Sequence, residues 1–361
     1  MLFQQLREKA KRYPKVDLHR HLEGSIRFST ILDIATRERI PLPTHDPEEL
    51  RRYVQVSEKE MPDYHSFLSK FRILRRIYSS REAIQRIAYE AVLDAAKDNV
   101  RYLELRFNPL ALAQTQGFPL LKVSEWVIEA GLKAAEESKI RLNFLITITR
   151  DTDVKEANTL VQLALELRSK GVVGLDLAGD EVNYRAYPFA SLFRNARRKG
   201  LGITIHAGEV TGPSSVYEAV EILGAHRIGH GVKAVGDVNV LDLLKFKKVV
   251  LEMCLTSNLQ TGAVKRLDEH PFLPLFRLGI LVTLNTDDPG ISGTTLTDEY
   301  LLAIRGLGMT HEELTAVIRN GILGAFLPPS EKVKLVEEFN REFESMGLPT
   351  IPKGEEVWIW P

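Results

Sequence analysis

The residues best suited to chemistry in this 361-residue chain are four histidines and a few carboxylates. His19 and His21 close the apolar run KVDLHRH. His206 closes GITIH, with Glu209 just beyond it. His230 closes RIGH, and Asp287 and Asp288 close LVTLNTDD. Neutral imidazole and carboxylate are good zinc ligands. Side chains two apart on a strand point the same way, so His19 and His21 can face one point. Three histidines (His19, His21, His206) and Asp287 would hold a divalent ion and leave a position for water, as catalytic zinc sites do.

Each signal has a plainer alternative. An HxH pair alone is weak, because a lone histidine in an apolar strand is usually a hydrogen-bonded core residue. Glu209 fits the first turn of a helix, where a carboxylate is favoured. It also fits a general acid, since a carboxyl in a poorly solvated pocket keeps its proton. Two adjacent acids such as Asp287 and Asp288 are costly unless a cation or a shared proton compensates. Asp-Asp-Pro-Gly is also good turn chemistry. The metal reading gains weight because four of the nine histidines fall at such run ends. The other five, His45, His65, His226, His270 and His311, fall in expected loops or helices and receive no role. Cys254 is the single cysteine and sits inside an apolar run, so it reads as core. One cysteine excludes an intramolecular disulfide and a multi-cysteine zinc site. No GxxxxGK[ST] and no GxSxG occurs, so neither a P-loop nor a nucleophile elbow is indicated.

Such residues need elements that bring them together. Eight apolar runs read as strands, at 15–21, 102–108, 142–149, 174–180, 202–208, 227–232, 249–258 and 281–288. Amphipathic helical stretches lie between most of them, at 81–97, 123–138, 154–170 and 214–223 among others. Alternating strands and helices imply parallel βαβ units, and eight of them imply a (β/α)8 TIM barrel. The rival is an open, doubly wound sheet. In a barrel the C-terminal strand ends share one face, where active sites lie. Residues 28–80 form a mostly helical insertion after the first strand, placed to cover that face. A further helix near 331–346 follows the barrel, and the ending VWIWP is expected to dock on its own chain.

No linker divides the sequence, so residues 1–361 read as one domain. Lys+Arg and Asp+Glu both number 48. This balance gives no general attraction for nucleic acid. No apolar window reaches the roughly 20 residues of a membrane span. The start does not resemble a signal peptide, so cytoplasmic residence is the default.

The motifs HRHLEGS (19–25), DLAGDE (176–181), HAGE (206–209), GHG (229–231), TSNLQTG (256–262) and NTDDP (285–289) occur in one order over nearly the whole chain. Together they resemble the adenosine deaminase family, a mononuclear zinc branch of the amidohydrolase barrels. The resemblance implies hydrolytic deamination of adenosine, and of 2′-deoxyadenosine, to inosine and ammonia. It implies one Zn2+ per chain on His19, His21, His206 and Asp287. Glu209 matches the acid that protonates purine N1. His230 matches the histidine that orients the water, and with Asp287 it accepts or steers the water proton; a fifth-ligand role for His230 stays open. Asp288 matches the contact to N7 and the Gly179 backbone the contact to N3. Phe67, Leu68 and Phe71 match an apolar lid. His21 and Glu23 complete the substrate contacts, Glu23 standing where animal enzymes carry an Asp that meets the ribose 5′-hydroxyl.

Glu at that position also occurs in adenine deaminases. Adenine, an N6-substituted nucleotide and aminodeoxyfutalosine are therefore alternative substrates. A catalytically silent purine-binding protein is the alternative of another class, and the intact Glu209 speaks against it. The expected partner is a small-molecule purine nucleoside, with room for a homo-oligomer. The run GLDLAGD lacks the lysine that binuclear relatives need, which favours a single metal.

Overall fold

Apolar runs bounded by turns do become strands. In the computed structural model, which describes residues 3–44, 46–57 and 59–351, they are β1 (Lys15–His21), β2 (Val100–Phe107), β3 (Arg141–Thr149), β4 (Val172–Ala178), β5 (Gly202–Ala207), β6 (Arg227–His230), β7 (Val250–Met253) and β8 (Leu281–Leu284). They are nearly wholly buried, as strands covered by helices must be. Each pairs in parallel with the next, in the order β1 to β8. The circle closes just beyond β8: the Asp287 N–H donates to the His19 carbonyl and the His21 N–H to the Asp287 carbonyl, both at 2.8 Å. That bridge abolishes the sheet edges and excludes the open sheet.

The helices follow their caps. Ser80 accepts from the Ala83 N–H and starts Arg81–Lys97, whose Ala83, Ile84, Ile87, Ala88 and Ala91 form its buried stripe. The insertion is helical as expected, over Phe28–Arg37, Pro47–Val54, Tyr64–Ser69 and Phe71–Leu74. The additional C-terminal helix is Pro329–Ser345 and buries Leu335, Phe339 and Phe343. The VWIWP ending lies outside the described residues. Among those described, no helix is long and apolar enough to cross a membrane.

Three elements differ from expectation; one is the last strand, expected over 281–288, which ends at Leu284 and leaves Asp287 and Asp288 in the loop after it. The strand expected over 249–258 stops at Met253, and Leu255–Gln260 is helical. The cause is Glu299, whose carboxylate accepts from the Leu255 and Thr256 N–H groups at 2.7 and 3.3 Å. It thereby satisfies donors that a helix start leaves open. The helix expected over 214–223 begins with Pro213, a favoured first position. It then widens into a π-helical turn over Glu218–Leu223.

Candidate active site

β1 and β5 carry His19, His21 and His206 to the C-terminal mouth of the barrel, and the loop after β8 brings Asp287 to them. The His19 Nδ1–H donates to Glu252 on β7 at 2.7 Å, and the His206 Nδ1–H to Asp176 on β4 at 2.9 Å. A carboxylate can only accept, so both rings carry their proton on Nδ1 and turn a bare Nε2 inward. His19 Nε2 is buried with no hydrogen-bond partner. It lies 3.2 Å from Asp287 Oδ1, and His21 Nε2 lies 3.4 Å from that same oxygen. His21 Nε2 and His206 Nε2 are 3.2 Å apart. One donor atom from each of the four residues falls within 4.8 Å of every other. Unshared lone pairs crowded around one point repel unless a cation sits among them, and nitrogen and oxygen donors of this kind fit a divalent ion such as zinc.

The backbone is shaped for this convergence. His230 and Asp287 hold φ of 62° and 60°, in a region that costs a non-glycine residue roughly 1–3 kcal/mol. Gly229 pairs with His206 across β5 and β6. A Cβ there would come to 3.0 Å from the His19 ring and 3.1 Å from His206, a tight fit that favours glycine between the two rings.

Glu209 is buried beside the four donors. Burial, then the Asp287 and Glu181 charges, push its pKa well above the ordinary carboxylate range, so it keeps its proton. It does not cap the following helix, which starts only at Pro213. Its loop is held by Glu181, which accepts from the N–H groups of Gly208, Glu209, Val210 and Thr211 at 2.6–3.3 Å. Burial and the Asp287 charge likewise push Asp288 well up, and its Oδ1 is buried without a hydrogen-bond partner.

A pocket of about 660 Å³, its open mouth included, lies over these groups. Its lining includes His21, His206 and Asp287, Glu209, Asp288 and Gly179, and the apolar Phe67, Leu68 and Phe71.

The adenosine deaminase family model matches residues 14–342. An adenosine deaminase of Klebsiella pneumoniae (strain 342) is 40% identical over 90% of this chain and 97% of its own. The chain belongs to the adenosine deaminase family. It is a hydrolytic deaminase acting on a purine, in a family whose chemistry depends on a metal. Among solved structures, adenine deaminase from Arthrobacter aurescens superposes with a TM-score of 0.85 at 26% identity, over 92% of this chain and 99% of that one. An Arabidopsis N6-mAMP deaminase gives 0.83 at 31%, over 92% and 99%.

The structure thus gathers every site residue singled out in the sequence into one pocket region of this deaminase. Glu23 lies at its wall, with Oε1 accepting from the Asn108 N–H at 2.8 Å and Oε2 buried without a partner. Burial raises its pKa to about 7. Other participants went unassigned in the sequence. Asp176, Glu181 and Glu252 hold the site from behind, and Tyr64, whose hydroxyl donates to the Gly179 carbonyl at 2.9 Å, and Arg75 line it. A charged residue inside an apolar strand run was the available signal for Asp176 and Glu252. Cys254 is buried as expected, yet it lies near His230 and Asp287. His270, given no role from its sequence position, contacts Asn258 next to the site.

Proposed function

We propose that the chain hydrolyses adenosine and 2′-deoxyadenosine to the 6-oxo nucleoside and ammonia, with one zinc ion held by His19, His21, His206 and Asp287. The observation that carries this is the position of the buried Glu209 carboxyl, its pKa pushed well up, beside four potential ligand atoms that converge on one point. When bound, the ion supplies the Lewis acidity that makes water nucleophilic near neutral pH. The residues do the rest. Glu209 gives its proton to N1, which makes C6 electrophilic. The Asp288 carboxyl donates to N7 and the Gly179 backbone meets N3. Phe67, Leu68 and Phe71 cover the base and exclude bulk water. Water adds its oxygen to C6; of its two protons one passes to the 6-amino group, which leaves as ammonia, and the other restores the Glu209 carboxyl.

Glu23 supports a sugar-bearing substrate, because its free Oε2 can accept from a ribose hydroxyl. A nucleotide is the second reading. In its favour, Arg75 lines the same pocket with its Nε buried and unpartnered. Against it, an anion would have to share that pocket with the Glu23 carboxyl. The test is metal content together with ammonia release from adenosine, 2′-deoxyadenosine, adenine and N6-methyl-AMP. Fastest turnover of the two nucleosides is expected, and preference for either of the others would replace this reading. Glu209→Gln is expected to keep its metal and lose turnover by about 10²–10⁴-fold. Undiminished turnover would reject Glu209 as the acid.

A further inference from the structure

A chain of hydrogen bonds runs from the backbone at Phe272 to His230. The Phe272 N–H donates to His270 Nδ1 at 3.1 Å. His270 Nε2 lies 3.3 Å from Asn258 Oδ1, and Asn258 Nδ2 lies 3.0 Å from His230 Nδ1. Only the first of these donors is fixed by covalent chemistry, because a backbone N–H cannot accept. Its direction settles the others. His270 Nδ1 must offer its lone pair, so the proton of the neutral ring is on Nε2. That Nε2–H needs an acceptor, so Asn258 turns its carbonyl oxygen to His270 and its amide nitrogen to His230. The amide N–H then occupies the His230 Nδ1 lone pair, and the His230 proton is left on Nε2.

We infer that His270 is a positioning residue which, through Asn258, locks His230 in the Nε2–H form and makes it a hydrogen-bond donor into the active site. His270 is buried, and burial pulls its pKa down to about 3, so the ring stays neutral with one proton to place. His230 Nε2 stands 3.8 Å from both Glu209 Oε2 and Asp287 Oδ2. A group that carries a proton there has no lone pair for a metal, so His230 is not a fifth ligand. Nor does it accept the proton of the attacking water; it holds the incoming oxygen by donating to it. This last consequence rests on the deaminase reading. The tautomer does not.

The experiment is long-range 1H–15N correlation on the zinc-loaded protein labelled at histidine nitrogen, which distinguishes the two neutral tautomers. Variants lacking His230 or His270 assign the signals. Wild type is expected to show His230 as Nε2–H only. Asn258→Asp presents a carboxylate, which can only accept, to both rings. It is expected to keep the His270 contact and move the His230 proton to Nδ1, while kcat falls about 10–100-fold with KM within about twofold. His270→Leu is expected to give a mixture of tautomers. An Nδ1–H signal for His230 in wild type, or an unchanged tautomer in folded Asn258→Asp, would overturn the inference. A reversed tautomer with unchanged kcat would keep the relay and reject its part in turnover. Wild type that turns over no 6-aminopurine would reject the deaminase reading alone.

Discussion

The barrel interior holds two clusters of polar side chains, one deep and one at the mouth. In the deep one, Arg106 and Arg227 lie among Glu104, Asp176 and Glu252, all fully buried. Arg227 bridges Glu104 and Glu252, and Arg106 Nη2 reaches Glu252 at 2.8 Å while its Nη1 lies 3.4 Å from Asp176; Nε and Nη1 of Arg106 have no hydrogen-bond partner, so that contact is held mainly by charge. Thr204 and the Phe326 N–H take up further carboxylate oxygens at 3.0 and 2.6 Å. At the mouth, His19, His21, His206 and Asp287 aim at one another instead, and His19 Nε2 has no hydrogen-bond partner. Removing one partner of a buried, hydrogen-bonded charge cluster strands the others and is costly, whereas lone pairs aimed at one another destabilise the fold unless something fills the space between them. The fold therefore depends on the deep cluster staying intact, whereas the mouth offers converging atoms that a bound cation would satisfy. Glu252 joins the two, since the same carboxylate holds both arginines and His19.

Substitutions in the two clusters should separate activity from stability. The largest effect is expected for His21→Ala, which removes one of the four proposed metal donors. Turnover should fall by about a thousandfold or more, the equivalent of the several kcal/mol a metal ion supplies. The stability of the metal-free protein should change by only about 1 kcal/mol or less. A collapse of its denaturant midpoint would show that the mouth is structural after all. Next, Glu252→Gln strips the carboxylate from two buried arginines. Chemical denaturation should register a loss of about 3–5 kcal/mol. A loss near zero would dissolve the distinction. Asp176→Asn touches both clusters through His206 and should weaken metal binding about 10–100-fold in a chelator competition. Unchanged affinity would mean that Asp176 does not orient the ligand.

The effect that is smallest near neutral pH grows with acid and lies away from the mouth. His226, just before β6, is buried, and desolvation, then Arg197 and Arg227, pull its pKa down to about 3. The folded state therefore wants it neutral, while the unfolded chain protonates it near 6.5. The stability it provides is complete above about 6.5 and is lost as pH falls from there toward 3. The wild type should lose up to about 1.4 kcal/mol per pH unit more than His226→Gln in that window. Parallel curves would show that His226 titrates alike in both states.

The sequence made the mouth legible because its signals are local. Histidines two apart and acids at strand ends need only strand geometry and parallel order to converge, as His19, His21, His206 and Asp287 do. The eight-strand alternation was legible for the same reason. The deep cluster was not, because Arg227 meets Glu104 and Glu252 only after the barrel closes. Charged residues inside LELRF and VLEM hinted at burial but not at partners. The end of β7 was misjudged because Glu299, far along the chain, starts a helix at Leu255. His270 escaped notice because its place depends on Asn258, twelve residues back in a different element.

Zinc-edge anomalous diffraction on crystals of the purified protein tests the central claim most directly. One peak per chain is expected, about 2.0–2.2 Å from the Nε2 atoms of His19, His21 and His206 and from a carboxylate oxygen of Asp287. A peak placed instead among His230, Cys254 and Asp287, which also approach one another, would contradict the account, as would four donors with no metal between them after zinc is supplied.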